Sequence, residues 1–112
     1  MSKRYKILVV DKNDKYQLLF EGLRKNKFAI NFSRSFSSFS ESELTYFNMF
    51  FIVIYEPRDV FELLRVYKEN TPIVVASNNL NILKKMKNFS SLTLIDLSKN
   101  STMIGVWDAL IR

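Results

Sequence analysis

The chain contains no cysteine and no histidine. Without cysteine there is no disulfide framework and no thiolate zinc site, and without histidine the commonest general base and metal ligand is missing. Most hydrolase and metalloenzyme designs therefore lose their usual parts. Glycine and proline occur only twice each, so no glycine-rich loop that cradles phosphate or a dinucleotide can be assembled, which disfavours a small α/β phosphatase or reductase. Long apolar runs are also lacking. Ahead of Asp11 only Ile7 to Val10 is continuously apolar, far short of a signal-peptide core or a membrane span. The expectation is a soluble, cytoplasmic, non-enzymatic protein with no membrane segment, no cofactor and no bound metal.

What the chain has is enough apolar material for one packed domain over 1–112. Of its 112 residues 47% are hydrophobic and 14% aromatic, sufficient for a single core at this size. Seventeen Lys and Arg against 11 Asp and Glu give a formal charge of +6, which favours an anionic partner such as nucleic acid or an acidic protein surface. A general richness in Lys, Asn, Ile and Phe accounts for the same excess. No helix-turn-helix continuation, zinc finger or RNA-binding aromatic signature accompanies it. A basic nucleic-acid-binding module is therefore the alternative reading, not the leading one.

Apolar runs alternate along the chain as strand, helix, strand, helix. Ile7 to Val10 suits a strand buried on both faces, and Asp14 to Lys25 carries Tyr16, Leu18, Leu19 and Leu23 as a helical stripe with Asp14 as its N-cap. Phe28 to Phe32 alternates as a half-buried strand near a sheet edge. Ser40-Glu41-Ser42-Glu43, followed by Leu44, Tyr46 and Phe47, reads as a capped short helix. Phe50 to Tyr55 is a central buried strand, and Asp59 to Asn70 places Val60, Leu63, Leu64 and Tyr67 at helical spacing. Ile73 to Ser77 is a fourth strand after Pro72. Asn78 to Phe89 is a basic amphipathic helix with Leu80, Leu83 and Met86 on one side and Lys84, Lys85 and Lys87 elsewhere. Leu92 to Leu97 is a fifth strand, and Ser101 to Arg112 a fifth helix with Ile104, Trp107, Leu110 and Ile111. Such alternation implies an α/β, doubly wound parallel sheet with helices on both faces and a functional crevice at the carboxyl ends of the strands.

Several pieces, in this order and spacing, resemble a receiver domain of bacterial two-component response regulators over nearly the whole chain. They are Lys6 to Asp11, the Phe50 to Tyr55 strand, Glu62-Leu63-Leu64-Arg65, Thr71 to Ser77, and Leu97-Ser98-Lys99. The resemblance implies a flavodoxin-like, three-layer fold with strand order 2-1-3-4-5. It also implies site positions. Asp11 matches the first of two magnesium-binding acidic residues, and Lys12 stands at the second. Tyr55 stands where the phospho-accepting aspartate ends the third strand. Ser77 matches the hydroxyl residue that follows the phosphoryl group, and Lys99 the lysine that contacts it, although Asn100 replaces the usual proline. The loop after Tyr55 is short and lacks its customary glycine, and the aromatic switch position falls near Asp96.

Phosphoryl transfer onto a receiver needs a carboxylate nucleophile and a magnesium ion. A phenol with a reference pKa of about 10 is a poor substitute for the first and a poor ligand for the second. Lys12 or Lys99 is expected to pair with Asp11 in place of the ion, with Tyr55 filling the vacated pocket. Glu56 or Asp59 is the alternative, displaced acceptor, although strand alternation sends Glu56 to the other side unless the loop turns it back. Lys12, Lys99 and Ser77 could also converge on a small anion. The leading expectation is a degenerate receiver that serves as a protein-interaction module in signalling. Its vestigial pocket comprises Asp11, Lys12, Tyr55, Glu56, Ser77 and Lys99. The resemblance places the interaction face, including homodimer contacts, on the Asn78–Phe89 helix, the Leu92–Leu97 strand and the last helix, with Lys84, Lys85, Lys87, Asp96 and Trp107.

Overall fold

β1 (Tyr5–Val10) begins with half-buried Tyr5 and Lys6 and continues as four apolar residues, Ile7 to Val10, that offer water no polar face and are all buried. A computed structural model describes residues 4–20, 27–68 and 70–98. β2 (Phe28–Ser33), β3 (Met49–Val53), β4 (Ile73–Ser77) and β5 (Leu92–Asp96) join β1 in one sheet of order β2-β1-β3-β4-β5, every pair parallel. This is the expected flavodoxin-like α/β arrangement. Central β3 and β4 are buried at every position, whereas edge strand β2 is half-buried to exposed throughout.

Alternation along the strands divides the core in two. Ile7, Val9, Phe51, Val53, Val74 and Ala76 face one side with Phe20. Leu8, Val10, Phe50, Ile52, Ile73 and Val75 face the other, beneath Phe36, Leu63, Val66, Ile82 and Met86. Phe51 meets Phe20 edge-on at 5.0 Å, and Phe50 meets Phe36 at 5.6 Å, the geometry aromatic quadrupoles favour.

Among the described residues there are three α-helices, α1 (Glu41–Leu44), α2 (Val60–Val66) and α3 (Leu80–Met86). α1 begins with the expected capping box, the Glu43 amide donating to Ser40 Oγ and the Ser40 amide to Glu43 Oε1. α2 follows a 3-10 turn at Pro57–Asp59 and stops early because Tyr67 becomes extended. That conformation lays the Tyr67 ring on Phe89 and lets its hydroxyl donate to the Ser90 carbonyl at 2.8 Å. α3 is capped by Asn79, whose side chain accepts from the amides of Asn81 and Ile82.

The helical stripes need correction in three places. Between Asp14 and Lys25 the described residues form only a 3-10 turn, Gln17–Phe20, and Leu18 is 70% exposed. Leu64 and Leu80 each lie 51% exposed, and Val66 and Ile82 are buried in their place. Asp14 is no N-cap: it sits in the left-handed region at φ 51° and its amide donates to the Asp11 carbonyl. The Asp11 carboxylate instead accepts the amides of Asn13, Lys15 and Tyr16, ahead of the 3-10 turn. The helix expected over Ser101 to Arg112, with Trp107, lies outside the described residues, as do positions 21–25 of the Asp14–Lys25 stripe.

Candidate functional site

The carboxyl ends of β1, β3 and β4 converge because the sheet ladder continues one residue beyond the strands. The Asp11 amide donates to the Ser33 carbonyl and the Ile54 amide to the Ala76 carbonyl, both at 2.9 Å. Period-two alternation then decides direction. Val9 and Val53 face the same side of the sheet, so Asp11 and Tyr55, each two residues on, face it together.

There the Tyr55 hydroxyl donates a hydrogen bond to Asp11 Oδ1. The Asn13 amide donates to the same oxygen at 3.1 Å, and the amides of Lys15 and Tyr16 donate to Oδ2 at 2.9 and 3.0 Å. A carboxylate offers about four lone-pair sites. Asp11, only 5% exposed, has therefore committed all of its acceptor capacity within the chain. Tyr55 stacks on Tyr16 at 6.4 Å with an interplanar angle of 27°. Burial, then its bond to the Asp11 carboxylate, pushes the phenol well above the ordinary tyrosine range. It is a neutral donor at any physiological pH.

Lys12 does not pair with Asp11. Its ammonium lies 2.9 Å from Asp59 Oδ1 and 3.5 Å from Glu56 Oε2, because Asp11 is already filled and the following residue turns away. The loop does bring Glu56 back, since the 3-10 turn at Pro57–Asp59 reverses the chain and Arg58 also bonds Glu56. Asp59 Oδ2 accepts the amides of Tyr55 and Glu56 at 2.9 and 3.0 Å, so this one carboxylate both closes the turn and anchors Lys12. Burial alone would raise its pKa. The Lys12 ammonium and the two amides outweigh that and hold it below the usual range. The bond to Asp59 raises Lys12 in turn, and Arg58 lowers Glu56.

Ser77 is fully buried. Its Oγ donates to the Ile54 carbonyl at 2.7 Å and accepts the Asn79 amide at 3.1 Å, which ties β4 to β3 and leaves no hydroxyl directed at a ligand. Among the described residues Asp11, Glu56 and Asp59 outnumber Lys12 and Arg58 by one charge, which disfavours an anion at these groups. Asp59 and Glu56 are both engaged, which disfavours either as a displaced acceptor. Among the described residues no group of three or more His, Cys, Asp or Glu is placed to hold a metal ion, and no helix is long and apolar enough to cross a membrane.

The structure thus brings together Asp11, Lys12, Tyr55 and Glu56, sets Ser77 beneath them as a structural tie, and adds Tyr16, Arg58 and the capping function of Asp59. Lys99 lies outside the described residues. On the expected interaction face, Lys84, Lys85 and Lys87 are exposed, Asp96 accepts the Ser98 amide and hydroxyl, and Trp107 is not described. Sequence reasoning also missed Glu62, whose carboxylate accepts the Ser35 hydroxyl at 2.7 Å and the Phe36 amide at 2.9 Å. An acidic residue on the first turn of a helix, facing a serine-rich loop, was the available signal. Comparison of the chain with protein-family models, curated proteins and solved structures found no match.

Proposed function

We propose that this chain is a receiver-like module that does not take a phosphoryl group and acts by binding protein partners in signal transduction. The observation that carries the reading is the closure of Asp11. Its oxygens are taken by Tyr55 and three backbone amides, and a magnesium ion needs free carboxylate oxygen. At the position the resemblance assigns to the phospho-acceptor stands a neutral phenol. The Lys12–Asp59–Glu56 cluster supplies the local cation that such a pocket otherwise takes from solution.

A sheet end closed in this way holds one conformation, and partner recognition rather than phosphorylation then sets the output. The partner surface we assign is α3 with β5 and residues 101–112, in the cytoplasm, including homodimer contacts. Incubation with acetyl phosphate and magnesium, followed by intact mass, is expected to leave the mass unchanged. An added phosphoryl group would overturn the reading. Sedimentation of Lys84→Glu/Lys85→Glu tests the surface: self-association or partner binding unaffected by the charge reversal removes α3 from it.

A further inference from the structure

The opposite, amino-terminal end of the sheet is thinly covered. α1 is a single turn whose described residues are all exposed or half-buried, and it spans a region where Phe47 and Phe50 need shielding. Two hollows flank it and share Ser42 and Phe47, one of about 360 Å³ beside Phe39 and Tyr46, the other of about 540 Å³ toward α2. The larger falls within the usual range of small-molecule sites, about 300–1,000 Å³.

Its lining combines two chemistries. Leu44, Phe47, Phe50 and Val66 are apolar, whereas Arg65 and Lys68, at the end of α2 and just beyond, bring cationic heads. Neither cation has a carboxylate partner among the described residues. Glu41 is the opposing acidic group on the wall, so among the described lining residues two cations face one carboxylate. We propose that this hollow binds a small amphipathic anion, an aromatic or branched-chain carboxylate or sulfonate, with its body on Phe47 and Phe50 and its charge on Arg65 and Lys68. A protein partner would need about 800 Å² of matching surface on each side, and a hollow of this size fits a small molecule better. The site lies where β3 and β4 begin, at the Phe50–Ile73 pairing, and is independent of the closed Asp11 end.

The test is titration of the full chain with anilinonaphthalene sulfonate, followed by fluorescence and by amide NMR shifts, beside its uncharged parent phenylnaphthylamine. Saturable one-site binding is expected, with shifts at Phe47, Phe50 and Thr71 and weaker binding of the neutral compound. Arg65→Ala/Lys68→Ala should weaken the sulfonate about tenfold through loss of charge-assisted bonds. Glu41→Gln should tighten it about twofold by removing a screened repulsion, which keeps the test decisive if the double variant folds poorly. Equal affinity for the neutral compound, shifts confined elsewhere, or indifference to Arg65 and Lys68 would each overturn the assignment.

Discussion

Tyr55→Phe isolates one hydroxyl. The ring stays, with its stack on Tyr16, and only the donor to Asp11 Oδ1 is removed. A hydrogen bond to a charged acceptor contributes about 1.5–3 kcal/mol. Asp11 retains three amide donors, so the carboxylate is not orphaned and the lower end of that range, about 1.5 kcal/mol, is expected. With a urea m-value of about 1–1.5 kcal/mol/M for a domain of this size, the midpoint should fall by about 1 M at neutral pH. The pH dependence supplies a second, sharper signature. The folded phenol titrates above the ordinary value of 10.0 because burial and the Asp11 carboxylate oppose its ionisation. A group whose folded pKa is raised contributes stability that is complete below the unfolded pKa and is lost as pH rises toward the folded value. The unfolded chain begins to release this proton near pH 10, and the folded chain does not. The wild type should then lose at most about 1.4 kcal/mol per pH unit from this group, less because water reaches part of Tyr55. The gap between wild type and Tyr55→Phe should hold steady through neutral pH and close above pH 10. Tyr5, also raised by burial, is present in both proteins and cancels. Equal urea midpoints at neutral pH, or a gap that widens in alkali, would refute the proposed geometry.

Asp59→Asn addresses the acid side. Because Asp59 titrates below its ordinary 3.8, its contribution is present above that pH and is lost as pH falls through the depressed folded value. Thermal melts should show the largest wild-type advantage near neutrality and none at the acid extreme. Glu62→Gln weakens the acceptor of the Ser35 hydroxyl and the Phe36 amide; a loss of about 1–2 kcal/mol is expected, with faster hydrogen exchange at the Phe36 amide. Unchanged exchange there would show that Glu62 does not anchor the β2–α1 connection. Ser77→Ala removes a buried donor and acceptor and should lower stability by about 1–3 kcal/mol in chemical denaturation. A neutral outcome would mean that a water replaces the hydroxyl.

The sheet was legible because parallel strands buried on both faces read as continuous apolar runs, and Ile73 to Ser77 carries that signal without ambiguity. Its order could be anticipated only through the resemblance, since periodicity says nothing of which strand lies beside which. The helices were less legible for a local reason. A 3.6-residue template credits Leu80 with the same face as Leu83 and Met86, yet Leu80 is the first residue of α3 and remains 51% exposed. Tyr67 matched the α2 stripe, but its hydroxyl had a better partner in the Ser90 carbonyl, and the helix ended to meet it. Leu18 fitted a helical stripe that a 3-10 turn, with a different angular step, does not preserve.

At the candidate site, the meeting of Asp11 and Tyr55 followed from alternation once the resemblance set β1 beside β3, whereas the choice made by Lys12 did not. That choice depends on the backbone of residues 13–16 folding over Asp11, through a left-handed Asp14 that no glycine announces. Once those amides fill Asp11, Lys12 must find another anion, and Asp59, fixed by two amides of its own turn, is the nearest preorganised one. The electrostatics then become coherent. Relative to the pattern the resemblance implies, lysine for an acidic residue at position 12 raises the charge by two, and tyrosine for aspartate at position 55 raises it by one. A magnesium ion would supply two positive charges. Under the proposed function, Lys12 and Tyr55 thus offset negative charge from within the chain, where a bound ion would otherwise do so from solution. Reverting either alone would place an additional carboxylate beside Asp11, Glu56 and Asp59 without restoring a complete ion site, so the two positions make electrostatic sense only as a pair.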